Sequence, residues 1–178
     1  MNRFLLIAIF LCVVSCKEVT FKESQPRGKQ ALKDVPKELR GRYAITSSED
    51  GEQDTVIVTA KGFYVTGDST ETYLSDTRIL KKYSGYYFVN DFQDPQWMLR
   101  VIKRENNGDL SYLALEPDKI SFNDYLVELN KEIRIDSMER NGGMIYQIDP
   151  TPKELLNLLA KGYFRKSLTL RKLPAQNP

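Results

Sequence analysis

The feature that most constrains this chain is a succession of short runs rich in β-branched and aromatic residues, each closed by a turn signal. Thr55-Val56-Ile57-Val58-Thr59 and Phe63-Tyr64-Val65-Thr66 flank Ala60-Lys61-Gly62, which predicts a hairpin. Gln96 to Lys103 and Leu110 to Leu115 flank Asn106-Asn107-Gly108-Asp109, a second hairpin signal. Gly41 to Thr46, Tyr86 to Val89, Glu132 to Asp136 and Met144 to Ile148 add further strands. Between them, Phe122, Tyr125, Leu126 and Leu129 recur at helical spacing, so a short helix is one reading of residues 116–130. The period changes decisively only once. Thr151-Pro152-Lys153-Glu154 is a capping box with proline at the first helical position, Leu155, Leu156, Leu158 and Leu159 form an apolar stripe, and Gly162 sits at the C-cap. A last strand, Leu168 to Leu173, follows.

The expected fold is therefore mainly β: an antiparallel barrel of about eight or nine strands, with one C-terminal helix followed by a last strand. Closure is favoured because so many short strands would otherwise leave edges exposed. Gly41-Arg42-Tyr43 resembles the Gly-x-Trp start of the lipocalins, with tyrosine in place of tryptophan, and the late helix before a final strand has the lipocalin order. The resemblance implies an apolar cavity for one small ligand, with Arg165 or Arg171 as the arginine that closes the barrel bottom. A small barrel can equally be filled by its own side chains. Tyr43, Tyr64, Tyr86, Trp97 and Tyr112 lie in predicted strands and are the candidate ligand contacts if the barrel is hollow; core and rim positions would account for them otherwise.

The start of the chain carries an address. Arg3 precedes an apolar run from Phe4 to Val14, too short to cross a bilayer as a helix, and small Ser15 comes just before Cys16. Val13-Val14-Ser15-Cys16 resembles the lipobox of bacterial lipoproteins. The resemblance implies cleavage after residue 15, diacylglyceryl transfer to the Cys16 sulfur and acylation of the new amine, palmitate included. Lys17-Glu18-Val19 partly resembles the surface-export signal of Bacteroidota lipoproteins. The expected organisation is a signal peptide (1–15), a flexible tether (16–35) and a single domain (36–178), held at the outer membrane of the cell envelope by lipid and exposed at the surface if the export signal acts.

Composition removes whole classes of function. Lys plus Arg number 26 against 24 Asp plus Glu, and only Arg3 leaves with the signal peptide, so no strongly basic balance points to nucleic acid. The most basic stretch, Lys161 to Lys172, reads as a solvated face. Histidine is absent, and the two cysteines are Cys12, within the signal peptide, and Cys16. Neither Ser-His-Asp nor Cys-His catalysis nor a zinc site is then available to the domain. Gly67-Asp68-Ser69 resembles an esterase nucleophile block but lacks its histidine. Glu49, Asp50, Glu52 and Asp54 lack the spacing of a calcium loop, and Asp91 and Asp94 read as loop acids. Asp54-Thr55-Val56, Asp68-Ser69-Thr70 and Asp136-Ser137-Met138 resemble the Bacteroidota O-glycosylation triplet. No catalytic residue, metal ligand or cofactor is assigned. The expectation is a non-enzymatic, membrane-anchored envelope protein that binds a small apolar ligand or a partner protein. The alternative is a carboxylate-dependent enzyme acting on envelope glycans, for which two acids would have to converge in a cleft.

Overall fold

The computed structural model describes residues 18–46, 53–67, 71–117, 120–140 and 142–174. The expected signal peptide and Cys16 lie outside them, as do most of the acidic run and two residues of Gly67-Asp68-Ser69. Among the described residues, the strands in chain order are β1 (Val19–Phe21), β2 (Gly41–Thr46), β3 (Gln53–Val58), β4 (Gly62–Val65), β5 (Thr72–Tyr73) and β6 (Arg78–Tyr83). Then come β7 (Tyr86–Gln93), β8 (Gln96–Arg104), β9 (Leu110–Leu115), β10 (Asp136–Arg140), β11 (Gly143–Ile148) and β12 (Phe164–Lys172). Helices α1 (Phe122–Glu132) and α2 (Pro152–Ala160) and a 3-10 turn at Lys37–Leu39 complete the molecule.

The sheet runs β10-β11-β1-β8-β9-β12-β2-β3-β4-β5, and the pair β6-β7 joins the other edge of β8. This overturns the expected fold. The described residues form a twelve-stranded mixed sheet with one parallel pair and two helices, not a closed antiparallel barrel of eight or nine strands with one helix. The segment read as a tether causes much of the difference. Val19, Thr20 and Phe21 are buried and pair in parallel with Tyr146, Gln147 and Ile148. On its other side β1 pairs Phe21 with Trp97, taking up the edge of β8 that β9 occupies from Arg100 to Arg104.

Beyond β1, residues 22–35 are also tied down. Gln25 donates its backbone N–H to the Asn90 side chain at 2.6 Å and accepts from that amide at 2.8 Å, and both residues are fully buried. The Lys81 amine donates to the Ser24 and Pro26 carbonyls at 2.6 and 3.2 Å, and burial pulls its pKa down. Strand β5 does not pair with β6. Instead Leu32 N–H donates to Leu80 O and Val35 N–H to Ala60 O, each at 2.8 Å, so residues 31–35 cover the free edge of β6 and reach the β3–β4 turn.

Helix α2 forms as its sequence predicts. Thr151 Oγ1 accepts the Glu154 N–H, and the Glu154 carboxylate accepts the Thr151 N–H at 2.8 Å. At the other end Tyr163 N–H reaches Leu158 O and Gly162 N–H reaches Leu159 O, a Schellman pair that requires the positive φ of Gly162 (77°). Ser121 caps α1 by accepting the Asp124 N–H at 3.1 Å. This helix occupies the stretch the sequence left open and extends to Glu132, so the expected strand over 132–136 gives way to β10. Among the described residues, no helix is long and apolar enough to cross a membrane.

Both faces of the sheet bear apolar residues. Phe21, Phe88, Leu99 and Val101 point to a core completed by Leu129 of α1 and Leu155 and Leu158 of α2. Tyr43, Val56, Leu80, Tyr87, Leu110 and Leu170 point to a second core, on the face without helices. β7 serves both by strict alternation: Tyr86 and Phe88 one way, Tyr87 and Val89 the other.

Candidate ligand cavity

The second core is hollow. A cavity of about 420 Å³ lies within it, in the size range of small-molecule sites. Its walls are aliphatic: Val56 and Val58 of β3, Val65 of β4, Leu80 and Val89 of β6 and β7, Ile102 of β8, and Leu168 and Leu170 of β12. These residues face it because each strand alternates, and the β-branched run Val56-Ile57-Val58 sends its two valines inward.

One end is plugged. Leu39 of the 3-10 turn and Val35 just before it, both buried, close it. The turn is fastened by Tyr43, whose hydroxyl donates to Leu39 O at 2.8 Å. The Lys172 amine lies 4.5 Å over the Tyr43 ring and donates to Arg40 O at 2.5 Å. Inward alternation on β12 runs through Leu168, Leu170 and Lys172; neither Arg165 nor Arg171, expected to close the bottom of a barrel, lines the cavity, and the sheet forms no such barrel. Gly41 has φ 137°, and a Cβ there would meet the Lys172 amine at 2.5 Å, so glycine leaves room for this contact. On the outside of the plug, Tyr87 donates to the Glu38 carboxylate at 2.5 Å and Lys82 donates to it at 3.0 Å. The Tyr87 hydrogen bond first, then the turn's own N–H and Lys82, hold the Glu38 carboxyl down at about 2.

Polar groups gather elsewhere on the same face. Arg78 and Asp91 are cross-strand partners on β6 and β7, form an ion pair and line the cavity. Arg100 lies in the cross-strand row of Val89 and Ala114, and small Ala114 leaves it space. Its guanidinium grips the Glu18 carboxylate with two nitrogens. Tyr112 lines the cavity nearby, and burial pushes its phenol pKa up, so it stays a protonated donor at neutral pH.

Of the five aromatic candidates, Tyr112 alone lines the cavity. Tyr43 lies in the plug, Tyr64 alternates outward between the inward Phe63 and Val65, and Tyr86 and Trp97 pack against the opposite, helix-covered core. Sequence reading missed Arg78 and Asp91 as members of the site, since nothing local marks two residues on successive strands as partners. Asp94, the other acid of that pair of loop candidates, bonds Arg140 on the surface.

Among the described residues, no group of three or more acidic, histidine or cysteine side chains is placed to hold a metal. No family model, no characterised protein and no solved structure matches this chain.

Proposed function

We propose that this protein is a lipid-anchored component of the cell envelope, attached through Cys16 to the outer membrane, that binds a small apolar ligand without transforming it. The observation that carries the binding half is the cavity of about 420 Å³, walled by valine, leucine and isoleucine. Such a space stays unfavourable to water, and an apolar guest gains free energy by leaving solvent for it. Arg78, Asp91 and Tyr112 give the ligand a polar end to match, while the aliphatic walls set its shape. The carboxylates nearest this end, Asp91 and Glu18, are both held by arginines, which suits orienting a ligand better than exchanging protons with it. The anchoring half rests on Val13-Val14-Ser15-Cys16 and on the apolar run before it.

The test is a titration of the purified protein with phenylnaphthylamine, an apolar fluorophore. The expected result is a saturable enhancement at one site per chain, lost in Val89→Trp, where a bulky side chain projects into the space. Absence of saturable binding, or full binding by Val89→Trp, would overturn the cavity as the site. Cys16→Ser should release the protein from the membrane fraction, and its retention would overturn the anchor.

A further inference from the structure

We infer that the β10–β11 hairpin and Ile120, just before α1, form a second contact with the bilayer, so that the domain is seated on the lipid surface in one orientation. The inference rests on the proposed lipidation of Cys16. Cys16 precedes Val19 by only three residues, which places its Cα within about 11 Å of that of Val19. Val19 is buried in the sheet, so the anchor has almost no free chain with which to hold the domain off the membrane.

Near that exit, exposed apolar side chains stand among charged ones. β1 and β11 are parallel with Val19 opposite Tyr146, and β11 begins three residues earlier, at Gly143. The hairpin therefore projects about 10 Å past Val19 toward the side from which the chain arrives. Near its tip it carries Met144 and Met138, 50% and 42% exposed. Met144 is opposite Glu139, and Met138 opposite Ile145, so the two methionines lie on opposite faces of the ribbon. A ribbon with a flexible apolar side chain on each face, and with Glu139 and Arg140 beside them, suits the boundary between headgroups and acyl chains better than docking on one protein surface. Ile120, 47% exposed, lies on the other flank. It lines a surface hollow with Glu116 and Tyr125 just past the end of β9, whose Ala114 is opposite Arg100, the residue that holds Glu18, so this hollow lies beside the exit as well.

The experiment uses the full chain, purified from membranes and reconstituted into phosphatidylethanolamine–phosphatidylglycerol vesicles. Met138→Cys, Met144→Cys and Ile120→Cys are each labelled with a polarity-sensitive fluorophore, with Tyr73→Cys on the distant edge strand β5 as the reference. Cys12 leaves with the signal peptide and an acylated Cys16 carries no thiol, so each label is unique; mass spectrometry of the same samples reports acylation. Lipids nitroxide-labelled near the headgroup should quench all three probes several-fold more than the Tyr73→Cys probe. Acylated Cys16 with no quenching, or with equal quenching at Tyr73→Cys, overturns the docked surface and leaves the anchor intact. If Cys16 proves unmodified, the labelling is repeated with Cys12 and Cys16 both replaced by serine, and quenching of the three probes there keeps the surface and removes the anchor. Neither acylation nor quenching overturns both.

Discussion

The two faces of the sheet are built from the same strands yet end in opposite states. Toward the helices, Phe88, Leu99 and Val101 meet Leu129, Leu155 and Leu158, and the space is filled. Toward the other side, Val89 and Ile102, one residue away on the same strands, face a hollow. The difference lies in what covers each face. Two helices bring their own leucines, whereas the cavity face is covered by the sheet's own curl and by a 3-10 turn that contributes little beyond Leu39 and Val35. A curved sheet cannot fill its own concavity with valines; it needs larger side chains or an outside element.

The largest effect should come from emptying the filled side. Leu129→Ala and Leu155→Ala, both at fully buried positions, should each cost about 2–5 kcal/mol in a urea melt. Costs below about 1 kcal/mol would mean that the two faces are equally loose. Adding bulk should separate the faces next. Val101→Phe, in the packed core, should cost about 1–3 kcal/mol. Val58→Phe, on the cavity wall, should be near neutral or stabilising and should weaken phenylnaphthylamine binding. Equal destabilisation by both would erase the distinction.

A smaller effect concerns how the covering helix is held. Thr151→Ala removes the hydroxyl that caps α2 and should cost about 1 kcal/mol. If the midpoint does not move, the helix is held by its leucines alone. The smallest concerns the plug. Glu38 has a folded-state pKa of about 2 against a usual 4.5, so its contribution is present above the ordinary carboxylate range and fades as pH falls toward 2. Glu38 is partly exposed, so the loss should be slight. Urea midpoints of Glu38→Gln should show a shallower decline over this window than the parent, and parallel declines would show that the Tyr87–Glu38 contact does not fasten the turn.

Local signals were legible where the chemistry is local. Thr151, Pro152, Glu154 and Gly162 mark α2 because capping involves only near neighbours. The turns at Lys61-Gly62 and Asn107-Gly108 mark their hairpins for the same reason. Neither the opened sheet nor the membership of the cavity could be read in this way. Val19-Thr20-Phe21 is a strand only because Trp97 and Ile148 lie beside it, and three residues between charges carry no period of their own. The aromatic candidates failed on parity. Along Tyr86-Tyr87-Phe88-Val89 every position is apolar, as expected when both faces are covered, so the sequence cannot say which residues look into the hollow. Tyr86 and Trp97 point away from it for that reason alone.

The place of β1 has a bearing on how the chain comes to be folded. Its Thr20 hydroxyl bonds a carbonyl 126 residues further on, and its parallel partner β11 is among the last elements to be made. The first strand of the domain cannot be completed until nearly the whole polypeptide is present. Such pairing of distant segments raises contact order and slows folding. While the end of the polypeptide is still awaited, β1 has β8 to pair with but not β11, so the first strand stays held along one side only.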